Sequence, residues 1–161
     1  MPASWCKGVI NLSTCHPNLV QYICQELIAG INSRGERFIT LNDLEAVGSS
    51  SQFSEYLIEV MWGNTTALER LLTLLIIMMD RPSATLAQIE AALQARGIGV
   101  SSAAVESSLE TLVLYSVLTK EGSEYYFTAP AFPSVVAATQ DIDSLVQRTS
   151  QYLLSAGTEP G

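Results

Sequence analysis

One short stretch limits what this chain can fold into more than any other: Leu71-Leu72-Thr73-Leu74-Leu75-Ile76-Ile77-Met78-Met79, bounded by Arg70 and Asp80. A helix with a single hydroxyl among these side chains has no polar face to turn to water, so it must lie at the centre of a core. It is far shorter than the roughly 20 apolar residues a membrane-spanning helix needs. The preceding Thr66-Ala67-Leu68-Glu69 is a capping-box pattern, so the helix starts there and runs to about Met79.

The residues after that helix set the fold class. Pro82 and Ser83 break the chain, and Thr85-Leu86-Ala87-Gln88-Ile89-Glu90 opens a second helix that ends before Gly97. After Gly97-Ile98-Gly99-Val100, Ser101 or Ser102 caps a third helix reaching about Tyr115. Val117–Lys120 and Glu124–Thr128 are two short strands turning at Glu121-Gly122-Ser123. A helix, then a helix–turn–helix, then a hairpin is the order of a winged helix. A last helix is expected over about Ala138–Ser155, before a Gly/Pro-rich tail.

Ahead of this module lies an all-helical one. A short helix through about Asn11 gives way to Ser13-Thr14-Cys15-His16-Pro17. Pro17 suits the first turn of a new helix, where its missing N–H costs nothing, and Thr14 or His16 is placed to cap it. Leu19, Val20, Ile23, Cys24, Leu27, Ile28 and Ile31 then recur at helical spacing as one apolar stripe, and Gly35 ends the helix. Arg37-Phe38-Ile39-Thr40 is a short extended link. Thr40 with Asp43 caps a small helix over Leu41–Val47, and a further helix from Phe53 to about Trp62 presents Phe53, Tyr56, Leu57 and Val60. The expected organisation is mainly α: a helical subdomain over 1–48, a connecting helix or linker over 49–64, a winged-helix domain with a small β-hairpin wing over 65–136, and a C-terminal helix and tail over 137–161.

Apolar residues make up 48% of the 161 positions and charged ones 15%, which supports a folded core and leaves apolar surface for a partner. Cys6, Cys15 and Cys24 form no CxxC pair, and with His16 the single histidine no metal-ligand spacing exists. They are expected to be reduced thiols, two of them buried. No basic region followed by an apolar stretch stands at the N-terminus, so a cytoplasmic chain that engages no membrane is the expectation.

The winged-helix order raises DNA binding, and charge argues against it. The net charge is −8, and the helix that would read bases carries Glu106 and Glu110, with no Lys or Arg between Arg96 and Lys120. Duplex binders make about 6–10 phosphate contacts, while this chain holds eight Lys and Arg in all, scattered over both modules. Nucleic acid is not the expected partner. Nor is a self-sufficient active site expected: the chain has no Gly-x-x-x-x-Gly-Lys-Ser/Thr phosphate loop, no Gly-x-Gly-x-x-Gly and no Gly-x-Ser-x-Gly.

The segment Thr14-Cys15-His16-Pro17-Asn18-Leu19-Val20-Gln21 resembles the Thr-Gly-Gly-His-Pro-Tyr-Leu-x-Gln segment in the lid of AAA-like and STAND P-loop ATPases of bacterial and archaeal type. Ile39-Thr40-Leu41-Asn42-Asp43-Leu44 is similar to that lid's Ile-Thr-x-x-Asp-Val. Glu69-Arg70-Leu71-Leu72 and Tyr125-Tyr126-Phe127-Thr128-Ala129-Pro130-Ala131-Phe132 are similar to the first winged-helix helix and the wing exit of the same proteins. The match runs in order over about residues 8–134.

The resemblance implies a C-terminal regulatory portion of a nucleotide-switched ATPase, not catalytic by itself. A P-loop core outside this chain would be its partner and hold the phosphates of ATP or ADP. The lid would contribute His16, Pro17, Thr14 and Asn18, with Pro17 at the position that meets adenine in STAND relatives. The winged helix would dock within the same protein or on a protein partner. Two departures stand out: Thr14 and Cys15 replace the Gly-Gly pair, and Asn18 stands where helicase-loader and clamp-loader lids carry a phosphate-sensing Arg. On the residues alone, His16-Pro17 is equally a cap and a helix start. A free-standing winged-helix transcriptional regulator and a helical adaptor or dimerisation module are the alternative functions.

Overall fold

The computed structural model describes residues 3–156, which form two compact units divided between Val60 and Met61. The protein is mainly helical with one small antiparallel sheet.

The first unit holds α1 (Ala3–Ser13), α2 (Pro17–Arg34), α3 (Leu41–Gly48) and most of α4 (Ser51–Trp62). Helix α2 buries Leu19, Ile23 and Leu27, one residue per turn at a spacing of four. Val9 of α1, Leu44 of α3, and Phe53 and Leu57 of α4 are the other buried apolar side chains of the unit. The buried stripe of α2 is narrower than the sequence suggests, because Ile28 is 51% exposed and Val20, Cys24 and Ile31 are only half-buried. Helices α1 and α3 approach closely at Gly8, where a Cβ would stand 2.2 Å from Cδ2 of Leu44. A β-carbon at position 8 would oblige the Leu44 side chain to move.

Helix α2 stops at Gly35, whose left-handed φ of 68° lets the amides of Gly35 and Glu36 reach back to the carbonyls of Asn32 and Ile31. Thr40 and Asp43 then close a capping box: the Asp43 amide donates to Thr40 Oγ1 at 3.3 Å, and the Thr40 amide donates to Asp43 Oδ2 at 2.8 Å. The Arg34 guanidinium, which also pairs with Glu36, donates to the same Asp43 carboxylate. Thr40 and then Arg34 hold the Asp43 carboxyl below its ordinary range. On the α2–α4 side, Tyr22 stacks on Tyr56 with ring centroids 4.3 Å apart.

The second unit is built round α5 (Ala67–Met78), whose residues Leu71 to Ile76 are buried without a break. Its start is the anticipated box, with the Glu69 amide donating to Thr66 Oγ1 and the Thr66 amide donating to Glu69 Oε2. Next come β1 (Ala84–Thr85), α6 (Leu86–Gln94), α7 (Ser102–Leu114), β2 (Leu118–Glu121) and β3 (Glu124–Phe127). The sheet order is β1-β3-β2, all antiparallel, with Ala84 opposite Tyr125 and Leu118 opposite Phe127. This is a winged helix, with β2 and β3 as the wing.

Strand β1 has no counterpart in the sequence-based reading. Two residues are too few to show a period of two, and only the pairing with β3 defines the strand. Thr85 ends it and also caps α6 through a capping box with Gln88. Ser101 caps α7, which buries Val105, Leu109 and Leu112 and leaves Val113 half-buried.

The expected last helix over about Ala138–Ser155 is α9 (Ile142–Ala156), and ahead of it stands α8 (Ala131–Thr139), which the sequence reading did not anticipate. Gln140 adopts an extended backbone between them, and Asp141 Oδ1 accepts the Ser144 amide at 3.1 Å to begin α9. Helix α9 packs on α5, and Val146 is its buried residue. The expected Gly/Pro tail falls at residues 157–161, outside the described ones. Among the described residues no helix is long and apolar enough to cross a membrane.

Candidate functional site

The four residues singled out from the sequence, Thr14, His16, Pro17 and Asn18, fall on one turn between α1 and α2. Ser13 organises that turn. It is fully buried; its hydroxyl accepts the Cys15 amide at 3.3 Å, and its carbonyl accepts the His16 amide at 2.9 Å. The Thr14 hydroxyl donates to the same carbonyl at 2.7 Å. These bonds close the chain so tightly that Thr14 and Cys15 both take left-handed backbone conformations, with φ of 49° and 61°.

That conformation is costly for residues other than glycine, by roughly 1–2 kcal/mol each, and unusual for a β-branched side chain. Thr14 and Cys15 therefore hold a backbone suited to glycine, at a cost in strain. Cys15 is exposed and its side chain takes no part in the turn, so relief should be visible. Cys15→Gly is expected to stabilise the chain by roughly 0.5–1 kcal/mol, the strain relieved less the greater chain entropy of glycine when unfolded. Urea unfolding followed by circular dichroism measures this, and a destabilised variant would contradict the left-handed assignment.

Pro17 occupies the first position of α2 as expected, but neither Thr14 nor His16 caps the helix with its side chain. The Thr14 hydroxyl is committed to Ser13, and His16, which sits at the cap position, makes no capping bond. The first intrahelical bond runs from the Val20 amide to the His16 carbonyl, which leaves the amides of Asn18 and Leu19 without an acceptor among the described residues. His16 is half-buried, with Nδ1 fully covered and no hydrogen-bond partner. Burial lowers its pKa below the ordinary 6.5, so the imidazole is neutral at pH 7. Pro17 and Asn18 are exposed. The turn therefore offers free helix-end amides, a neutral imidazole and a proline face, with no cation on its four residues.

The cysteines depart from expectation: Cys6 and Cys15 are exposed and Cys24 is half-buried, so none is a core residue. Among the described residues no three His, Cys, Asp or Glu side chains stand close enough to hold a metal.

On the second unit, Glu106 and Glu110 are exposed on α7. Lys120, the one cation of the wing, lies 5.2 Å from the Tyr125 ring centroid. Tyr125 first, then the carboxylates of Glu106 and Glu110, raise its pKa, so its charge is engaged within the protein. The surface that reads bases in DNA-binding winged helices is thus acidic with a compensated lysine.

Sequence reasoning missed a cleft of about 630 Å³ on the second unit. Its lining includes Ile77 of α5, Phe127 of β3, and Pro130 and Pro133 at the start of α8. The only sequence signal was the pair of prolines beside an aromatic wing exit. Comparison with protein-family models, curated proteins and solved structures finds no match to this chain.

Proposed function

We propose that this chain is the C-terminal regulatory portion of a nucleotide-switched P-loop ATPase of the AAA-like or STAND kind. Its first unit is the lid over a nucleotide site completed by a separate phosphate-binding core. Its second unit is a winged helix that docks on that core or on a protein partner. The reading places the chain in the cytoplasm and gives it no catalysis of its own.

The observation that carries this proposal is the turn at Thr14-Cys15. The two residues that stand where the resembled lids have Gly-Gly hold the left-handed backbone that glycines would favour. A strained turn kept without its glycines suggests that the path of the chain into Pro17 matters. Past it, a helix N-terminus with unpaired amides is suited to an anion, and a proline face to an adenine ring. His16 and Asn18 flank that approach, and the Thr14 hydroxyl holds the turn shut. The turn lacks a cation, so the phosphates of ATP or ADP must be held by the core. A switch results if the nucleotide binds the open and closed lid with different free energies.

The isolated chain is therefore expected to hydrolyse no ATP and to show no measurable nucleotide affinity by isothermal titration calorimetry. Micromolar ATP binding by the chain alone overturns the half-site reading. A reading frame continuing upstream of Met1 into a Gly-x-x-x-x-Gly-Lys-Ser/Thr loop is the supporting observation.

The winged-helix topology also favours a second reading, a transcriptional regulator. The acidic α7 and the engaged Lys120 weigh against it. A salt-dependent mobility shift of duplex DNA by the purified chain would reverse that judgement.

A further inference from the structure

The cleft on the second unit combines apolar lining residues with an acidic rim. In its lining Ile77, Phe127, Pro130 and Pro133 offer no side-chain hydrogen-bonding group. Two exposed carboxylates stand on the rim, Asp80 just past α5 and Glu124 at the start of β3. Neither is part of an ion pair among the described residues, where the ion pairs are those of Arg34. Arg81 is the single cation lining the cleft. Behind the rim, Glu121 accepts the Tyr126 hydroxyl at 2.7 Å, which adds a third carboxylate and fixes the Tyr126 ring.

The walls are already in place. Phe127 packs on the buried Phe132 with centroids 5.5 Å apart, and two prolines stiffen the start of α8. Asp80 is held in a left-handed conformation, with φ of 50° and its amide donating to the Ile77 carbonyl. A preformed site of this size is within the usual range of about 300–1,000 Å³ for ligand sites and loses little order on binding.

We infer that this cleft docks an extended peptide segment of a protein partner, an apolar anchor flanked by Lys or Arg. The anchor lies on the prolines and Phe127, and the flanking cations meet Asp80 and Glu124. Charge complementarity selects this occupant. The rim repels anionic lipid headgroups and nucleic acid, and the chain as a whole, at −8, repels a second copy of itself. The inference rests on the docking role proposed for the second unit and not on the nucleotide half of that proposal.

The test is selection of a random heptapeptide library on the purified full-length chain. Selected peptides are expected to share an apolar or proline centre with adjacent Lys or Arg. Their amide-shift changes should centre on Asp80, Arg81, Ser83, Glu124, Tyr126 and Phe127. Asp80→Asn with Glu124→Lys should weaken a selected peptide roughly tenfold by fluorescence polarisation, as expected when three units of rim charge change. Asn is chosen at position 80 because it tolerates the left-handed backbone. Arg81→Glu, also on the surface, should tighten binding, and this arm stands even where the double variant folds poorly. Failure to enrich any sequence, a consensus without cations, or affinities indifferent to Arg81→Glu would each overturn the inference. ATP binding by the isolated chain would sink the half-site proposal and leave the peptide result unaffected.

Discussion

Phe132→Ala is expected to destabilise the second unit by about 3–5 kcal/mol. Phe132 is fully buried, edge-on to Trp62 with centroids 5.5 Å apart at 90°, and tilted against Phe127 at the same separation. Truncation removes both aromatic contacts and leaves a cavity that the α8 prolines cannot relax to fill. A loss this size is a large part of the roughly 5–15 kcal/mol that holds an ordinary domain, so the variant should melt at a much lower urea concentration. Trp62 fluorescence reports the event directly. Leu114→Ala is the control: that side chain is 78% exposed and its removal should change stability by no more than about 0.5 kcal/mol. Equal effects at the two positions would mean that the core lies elsewhere.

The second large effect is expected from one hydroxyl. Thr73 is the only polar residue in the apolar run of α5, and it is fully buried. Its Oγ1 accepts the Trp62 indole Nε1–H at 3.0 Å and donates to the Arg70 carbonyl at 2.7 Å. Thr73→Val keeps the shape but strands the indole N–H in an apolar setting, at a cost of about 1–3 kcal/mol. Trp62→Phe with Thr73→Val removes both partners, so the pair should cost less than the sum of the two single changes. A double-mutant cycle in urea measures that difference. Additive effects would show that the bond does not contribute. Arg70, whose guanidinium carbon lies 5.6 Å from the Trp62 ring centroid, loses that indole in Trp62→Phe and in the double variant alike, so the cycle cancels its contribution.

Much of the architecture was readable from the chain, for a local reason. Thr40 with Asp43, Thr66 with Glu69, and Ser101 each act on amides within three residues of themselves, so the start of a helix is written beside it. Gly35 likewise ends α2 through bonds to Asn32 and Ile31. The buried helix at Leu71–Ile76 follows from the lack of any polar face. The candidate site was legible as a place but not as a geometry. Pro17 marked the helix start, whereas the failure of Thr14 and His16 to cap it depends on the Thr14 hydroxyl preferring the Ser13 carbonyl.

By itself the sequence determined that Leu71–Ile76 belongs to a central helix, that a helix–turn–helix and a hairpin come after it, and that the face normally used to read DNA is acidic. Periodicity and capping are short-range, and charge needs no geometry at all. Only the tertiary structure decided the rest. It made Ala84–Thr85 a strand by pairing it with Tyr125 and Glu124, some forty residues away. It added α8 ahead of the last helix, left all three thiols out of the core, and placed Asp80 and Glu124 on one cleft. Each of these depends on which distant surface a residue meets, and no window of neighbouring residues contains that information.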